Sequence, residues 1–183
     1  MHGANRARQN RRMLEVRRLD AEEARRAAPA LGAVLADAVA GGDSIGFMDG
    51  LTAEQGRAFY ESVLPELERG TRVLLAAYDG DDLVGTVQLV HARPPNQPHR
   101  ADVTKLLVHR RARRRGVAQA LMERLEAEAA ADGKTVLVLD TVPGRAADRL
   151  YERLGWTRVG IIPGFALDPD GNECDTAVFY KRL

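Results

Sequence analysis

A predicted strand, a basic turn and a predicted helix follow one another between residues 101 and 131. Polar and apolar residues alternate over 101–109, and apolar residues recur at helical spacing over 116–131. The first N–H groups of a helix have no intrahelical partner, and the helix dipole adds partial positive charge there. The segment therefore predicts an α/β protein with an anion site at the start of this helix.

The basic turn supplies charge and space for a ligand that carries phosphate. Gly116 lets a phosphate approach the backbone because it has no Cβ, and Ala118 keeps the first helical turn small. The guanidinium groups of the turn suit a diphosphate or a 3′-phosphate. The candidate contacts of such a ligand are Arg113, Arg114, Arg115, Gly116, Val117 and Ala118.

The rest of the chain predicts further strands and helices of one α/β domain. Asp20 and Thr52 are each followed three residues later by Glu or Gln, the capping-box pattern of a helix start. Pro65 is expected to kink or split the second helix. Further strands are predicted near 14–19, 71–78, 83–90, 136–139, 157–162 and 177–183, with a short helix at 145–153.

Composition excludes several classes of protein. The 183 residues carry 27 Lys and Arg against 26 Asp and Glu, a formal charge of +1, which argues against a dedicated nucleic-acid binder. A single cysteine, Cys174, excludes a disulfide framework. The absence of a long apolar stretch predicts a cytoplasmic protein without a membrane segment. We expect a disordered Arg-rich tail over 1–12 and a folded domain over 13–183.

Two motifs resemble those of the GNAT family of N-acetyltransferases. The first, Arg113-x-x-Gly116-x-Ala118, matches the acetyl-CoA signature [Gln/Arg]-x-x-Gly-x-[Gly/Ala] in its strand–loop–helix setting. The second, within 147–156, is similar to the pattern A-x-x-L-Y-x-x-x-G-F. The resemblance implies a single GNAT-like domain, with a mixed sheet of six to seven strands, helices on both faces, and a splay between strands 4 and 5.

The resemblance also implies a cosubstrate, a reaction and site residues. Acetyl-CoA would be the acetyl donor, with no metal, and Leu107 and Val108 of the fourth strand would join the turn in contacting it. Tyr151 stands at the family's Tyr position, so it is expected to contact acetyl-CoA and to act as the acid for the departing thiolate. Asp102 and Asp140 are candidates for the base that accepts the amine's proton, although each suits a strand-end ion pair equally well.

The acceptor is less well defined than the donor. Gly144 stands where the family often has Asn, and Arg110 stands where many members have Pro. Residues 139–144 and 157–165 resemble a subgroup that includes the tabtoxin-resistance acetyltransferase, which favours a small-molecule amine such as an amino-acid-like toxin or antibiotic, and hence a role in resistance. A polyamine and a protein N-terminus or lysine remain alternative acceptors. The loops 43–51 and 91–100 and the tail loop 164–175 are expected to shape the acceptor pocket, with walls from Phe47, Met48 and Phe165.

Three other functions are alternatives to an acetyltransferase. Gly42-Asp43-Ser44-Ile45-Gly46 fits the hydrolase pattern G-x-S-x-G, but a helix rather than a strand is predicted before Ser44. The arginine-rich segments could bind nucleic acid, although aromatic residues make up only 5% of the chain. The domain could also bind CoA without catalysis. A homodimer formed through the C-terminal strands is compatible with the sequence.

Overall fold

The computed structural model describes residues 14–183, and the predicted tail 1–12 lies outside this range. The strands within it are β1 (Leu14–Leu19), β2 (Arg72–Asp79), β3 (Asp82–His91), β4 (Arg100–Val108), β5 (Val136–Thr141), β6 (Thr157–Leu167) and β7 (Glu173–Arg182). The helices are α1 (Ala21–Ala40), α2 (Ala53–Ser62), α3 (Leu64–Glu68), α4 (Val117–Ala131) and α5 (Ala146–Arg153).

The seven strands form one mixed sheet in the order β1-β2-β3-β4-β5-β7-β6. Only β4 and β5 run parallel, and they pair over three residues, from Arg100 opposite Val136 to Asp102 opposite Val138. Beyond this point the two strands diverge. The predicted mixed sheet and the predicted splay between strands 4 and 5 are therefore both confirmed.

Helices cover both faces of the sheet, as predicted. On one face α4 and α5 pack on an apolar cluster that includes Val103, Leu137 and Phe179. On the other face α1, α2 and α3 pack on a second cluster that includes Leu74 and Leu107. No helix of the described part of the chain is long and apolar enough to cross a membrane.

The predicted helix starts are confirmed by their hydrogen bonds. Asp20 and Thr52 each accept from the backbone three residues on, and the Glu or Gln there reaches back to the cap. The predicted break at Pro65 is also present, since α2 ends at Ser62 and α3 begins at Leu64. Proline suits this first helical turn because its missing N–H is not needed there.

Two glycines allow α1 and α2 to pack closely. A Cβ added at Gly56 would lie 2.6 Å from the carbonyl oxygen of Gly32, and one added at Gly32 would lie 2.4 Å from the amide nitrogen of Arg57. Both neighbouring atoms belong to the backbone and cannot rotate away. This contact fixes the two helices that flank the loop at residues 43–51.

The predicted alternation of side chains along β4 is wrong at Lys105. This residue has a φ of +53°, and the pairing of β4 with β3 shifts register at the same place. The bulge sends Thr104 and Lys105 to the same face, so Leu106 rather than Lys105 packs against the α4–α5 cluster. A charged side chain is thereby placed beside the gap between β4 and β5.

The C-terminal hairpin is longer than predicted. Pairing of β6 with β7 continues through Ala166 opposite Cys174 and Leu167 opposite Glu173. The residues Pro163 and Gly164, which favour a strand end, lie where the register shifts between Ile162 and Ala166. The tail loop is therefore confined to residues 168–172 rather than 164–175.

Candidate active site

The turn before α4 has the geometry of an anion site. Gly116 caps the helix with a φ of +81°, and no side chain among residues 14–183 forms a cap hydrogen bond there. A Cβ added at Gly116 would meet no heavy atom of these residues within 4 Å, so the described chain leaves this position open. Val117 is buried in the core, which leaves its backbone rather than its side chain to face a ligand. The site therefore fits the diphosphate of a nucleotide.

The three candidate arginines differ in their partners. Arg113 Nη2 lies 2.6 Å from Asp43, and its Nε donates to the carbonyl oxygen of Val108. Arg115 Nη2 lies 2.9 Å from Asp79. Arg114 is exposed and has no carboxylate partner among residues 14–183. Of the three arginines, Arg114 is therefore the one whose charge is not neutralised by a carboxylate of the described chain.

The gap between β4 and β5 exposes a backbone edge. Because parallel pairing ends at Asp102, the part of β4 that contains Leu107 and Val108 has no strand beside it on the β5 side. The Leu107 side chain is 2% exposed and belongs to the core. Any contact of these two residues with a ligand in the gap would therefore involve the backbone, whose N–H groups can bind a carbonyl oxygen.

Tyr151 lies on α5, on the same side of the sheet as α4. Its ring packs 5.9 Å from that of Trp156 and 5.8 Å from that of Phe179, and it is 5% exposed. Its hydroxyl makes no hydrogen bond within the described residues. Burial, reinforced by the negative charge of Asp140, raises the pKa of Tyr151 well above its usual value. The phenol therefore stays protonated at neutral pH.

Asp140 lies near the end of β5 and is exposed. Leu137 and Leu139 point into the α4–α5 cluster, and residues alternate along a strand, so Asp140 lies on the opposite face. It accepts a 2.9 Å hydrogen bond from the hydroxyl of Thr176, which is buried in β7. Asp140 and Tyr151 thus lie on the two opposite faces of the sheet, Asp140 on β5 and Tyr151 against the neighbouring β7.

Asp102 lies on the same face as Asp140 but has a different environment. Its register partner in β5 is Val138, so Asp140 lies two residues further along β5, beyond the last pair with β4. Its carboxylate forms a 2.5 Å ion pair with Arg100 Nη1. The structure therefore brings the two carboxylates to one face, with Asp102 engaged by a cation and Asp140 by a hydroxyl.

Sequence reasoning missed a cavity of about 360 Å³ on this same face. Lys105 contributes to it, and its Nζ donates a 2.8 Å hydrogen bond to the carbonyl oxygen of Ile45. One signal in the sequence could have indicated this site, namely a single lysine within an apolar strand of a chain whose basic residues are mostly arginine. The lining residues are Phe59, Arg72, Val90, Asp102, Thr104 and Lys105.

The loop at residues 43–51 closes one side of this region. Phe47 packs edge-on against Phe59, with 5.3 Å between the ring centres. The amide of Asp49 donates to the carbonyl oxygen of Pro169 in the C-terminal hairpin, which fastens the loop from the other side. Met48 and Phe165 are about half exposed, at 50% and 54%. None of the cavity's lining residues comes from the loops 43–51, 91–100 and 164–175, which are predicted from the sequence to shape the acceptor pocket.

Ser44 lacks the surroundings of a hydrolase nucleophile. It follows α1 rather than a strand, and its hydroxyl donates to the carbonyl oxygen of Leu167. No histidine of the described chain hydrogen-bonds to it. A serine nucleophile needs an adjacent base, so the G-x-S-x-G pattern has no catalytic setting here.

The combined geometry suits an enzyme that takes a group from a phosphate-bearing donor on one face of a sheet and passes it to an acceptor on the other. The model of the acetyltransferase (GNAT) family matches residues 43–156, more than half of the chain. The chain therefore belongs to the GNAT family and is an acetyl-CoA-dependent N-acetyltransferase, which confirms the resemblance of its two motifs.

Several solved structures have the same fold as this chain. The yncA protein of Salmonella typhimurium, solved with its cofactor acetyl-CoA, is 20% identical with a TM-score of 0.75, covering 93% of this chain and 94% of that one. A ribosomal-protein-alanine N-acetyltransferase from Brucella melitensis is 23% identical with a TM-score of 0.76, covering 92% and 99%. A candidate phosphinothricin N-acetyltransferase is 20% identical with a TM-score of 0.75, covering 93% and 99%. At these identities the likeness concerns the fold.

Proposed function

We propose that this enzyme acetylates the primary amine of a small molecule, with Asp140 as the proton acceptor and Tyr151 as the proton donor. The observation that carries the proposal is their placement on opposite faces of the sheet. Asp140 lies on β5 beyond its last pair with β4, and Tyr151 packs on Phe179, which pairs with Leu139 of β5. A direct transfer needs a base on the side of the incoming amine and an acid on the side of the departing sulfur. The two residues meet that requirement.

The described residues fit acetyl-CoA on the α4–α5 side. The open first turn of α4 and Arg114 would hold its diphosphate, and the unpaired edge of β4 would face its pantetheine arm. When bound, acetyl-CoA supplies the acetyl group as a thioester. The solved yncA protein, which has this fold, contains acetyl-CoA.

Proton transfer explains why both residues are needed. An amine with an ordinary lysine-like pKa must lose a proton before it can attack, which costs about 4 to 5 kcal/mol at neutral pH. Asp140 is the better candidate base, because the carboxylate of Asp102 is already bound to Arg100. The raised pKa of Tyr151 keeps a proton on its hydroxyl, where it is available to a thiolate.

A small acceptor fits this face better than a protein segment. The loop at residues 43–51 is held beside the cavity by hydrogen bonds of Ile45 to Lys105 and of Asp49 to the C-terminal hairpin. The cavity volume of about 360 Å³ is in the range of small-molecule sites. The resemblance to the tabtoxin-resistance subgroup and the fold shared with a candidate phosphinothricin N-acetyltransferase point the same way. The ribosomal-protein-alanine N-acetyltransferase of the same fold supports the alternative, a protein N-terminus.

A free-thiol release assay tests the proposal. Purified protein and acetyl-CoA are incubated with amino acids, polyamines and short peptides in parallel. We expect thiol release with at least one small amine and none above background with the peptides. Release only with peptides would replace the small-molecule acceptor with a protein N-terminus or lysine.

The remaining partner predictions concern nucleic acid, metals and a second copy of the chain. The pairing of Arg110, Arg113 and Arg115 with acidic residues neutralises much of the basic turn, which supports the prediction that nucleic acid is not a partner. The proposed chemistry uses no metal. The homodimer stays a prediction, which sedimentation equilibrium would test.

A further inference from the structure

The ammonium of Lys105 is a charge without a matching carboxylate. Its side chain lies mostly buried on the acceptor face, and no carboxylate of residues 14–183 comes within 4 Å of Nζ. A lysine ammonium has three donors, and the carbonyl oxygen of Ile45 accepts one of them. The rings of Phe47 and Phe59 lie 5.5 and 5.7 Å from it and stabilise the charge without replacing a hydrogen-bond acceptor.

The other charges of the cavity are already paired. Arg72 binds Glu66 at 2.9 Å, and Asp102 binds Arg100. Among the charged residues that line the cavity, Lys105 is therefore the one without an ion-pair partner in the described chain, and its ammonium is available to a ligand. Burial lowers its pKa, and the negative charge of Asp140 opposes this effect. Asp140 lies on the same face of the sheet as Asp102, which lines the cavity with Lys105.

A second donor next to the cavity lacks an acceptor. Gln88 is fully buried, and its Oε1 accepts a hydrogen bond from Arg72, whereas its Nε2 has no partner within the described residues. Gln88 lies opposite Thr104 in the pairing of β3 with β4. Gln88 does not line the cavity itself, but its pairing places an unsatisfied donor beside the lining residue Thr104.

The backbone of Lys105 is itself strained. A φ of +53° is uncommon for any residue other than glycine. Without the bulge, the alternation of β4 would direct Lys105 into the core on the opposite face. The strain therefore serves to bring an ammonium to the acceptor side of the gap.

We propose that the acceptor carries a carboxylate beside its amine, as an amino acid does, and that Lys105 binds this carboxylate while Asp140 faces the amine. This inference rests on the proposed function and narrows its substrate class. A polyamine would meet the positive charge of Lys105 and is excluded. Lys105 is accordingly a specificity-determining residue.

Paired acceptors test the inference in the thiol-release assay. Each amino acid of a panel is compared with its own primary amide, which keeps the amine and side chain but lacks the negative charge. We expect kcat/KM at least about tenfold higher for the acid. The amide has the less basic amine and the larger neutral fraction, so this preference cannot arise from reactivity.

The variant Lys105→Met removes the charge and keeps a side chain of similar length. We expect KM for the acid to rise at least about tenfold more than KM for the amide, so that the acid-over-amide preference in kcat/KM is lost. Loss of the hydrogen bond to Ile45 affects both acceptors alike and leaves this ratio unchanged. Lys105→Arg restores part of the preference. Lys134→Met is the matched control, because Lys134 also donates to a backbone carbonyl, that of Pro98, away from the cavity.

The outcomes separate the two proposals. Equal use of acids and amides by the wild-type enzyme, or an equal loss for both in Lys105→Met, would overturn the carboxylate site and leave small-amine acetylation standing. Thiol release with no small amine, while calorimetry shows acetyl-CoA bound, would overturn the proposed acceptor class and this inference with it.

Discussion

The hydroxyl of Thr176 donates a 2.9 Å hydrogen bond to Oδ2 of Asp140. The same hydroxyl lies 3.3 Å from the carbonyl oxygen of Thr141, so it is fixed at the end of β5 from two directions. Asp140 is thereby oriented by β7, on the side of β5 away from the gap. This leaves the carboxylate free of any cation within hydrogen-bonding reach in the described chain, as a base for an incoming amine requires.

Asp140→Asn is expected to lower kcat at least about 100-fold at neutral pH, because the amine then loses its proton without a positioned base. The remaining rate should rise with pH as the neutral fraction of the amine grows. Steady-state kinetics over a range of pH measures both effects. Asp102→Asn is the matched control and should retain most of the activity. The reverse result would assign the base to Asp102.

Tyr151→Phe removes the phenolic proton and keeps the ring that packs on Trp156 and Phe179. We expect kcat to fall about tenfold or more, with acetyl-CoA affinity changed by less than about twofold. Calorimetry and thiol release measure the two quantities separately. Tyr180→Phe, on partly exposed β7, controls for loss of a tyrosine hydroxyl. Wild-type turnover in Tyr151→Phe would remove Tyr151 from the proposed mechanism.

Asp37 ties α1 to the turn that leads to Gly116. It accepts from the backbone amide of Arg110 at 2.8 Å and from its Nε at 2.9 Å. Burial alone would raise the pKa of Asp37, but these hydrogen bonds and the nearby positive charges together lower it below its ordinary value of 3.8. A carboxyl group with a lowered folded-state pKa stabilises the fold above its unfolded value and loses that effect as pH falls through the folded value.

Asp37→Asn should therefore reduce the free energy of unfolding by about 1 to 3 kcal/mol at neutral pH. The difference from wild type should shrink below pH 3.8, where the wild-type carboxylate becomes protonated. Urea denaturation at neutral and acidic pH measures it. A difference that is the same at both pH values would show that the charge of Asp37 contributes nothing.

Gly56→Ala tests the close packing of α1 and α2. Alanine favours a helix over glycine by about 1 kcal/mol. The added Cβ would lie 2.6 Å from the carbonyl oxygen of Gly32, and we expect the resulting strain of about 1 to 3 kcal/mol to outweigh that gain. Urea denaturation measures the change, with Glu54→Ala on the exposed side of α2 as control. A stabilised Gly56→Ala protein would contradict the packing described.

Local signals predicted much of the fold. The helix starts at Asp20 and Thr52 depend on side chains three residues apart, and the break at Pro65 depends on one residue, so the sequence contains all that determines them. The turn at Gly116 also depends on a local signal, because a glycine between a strand and a helix suits a positive φ. These features need no information from distant parts of the chain.

The features that sequence could not predict depend on distant partners. The bulge at Lys105 accompanies a register shift against Thr86 and Gln88 of β3, and nothing in the alternating pattern of β4 indicates it. The partners of Arg113 and Arg115, namely Asp43 and Asp79, are also remote in sequence. The cavity around Lys105 therefore emerged only from the three-dimensional structure.

Calorimetric titration with acetyl-CoA most directly tests whether the turn at Gly116 binds the donor. Gly116→Val and Gly133→Val place the same side chain at opposite ends of α4, at φ values of +81° and +71° and in open space. Both variants carry similar backbone strain. We predict one acetyl-CoA per wild-type chain, the same affinity in Gly133→Val, and an affinity reduced at least about tenfold in Gly116→Val. Equal affinities in the two variants, or no binding to the wild-type protein, would contradict the account.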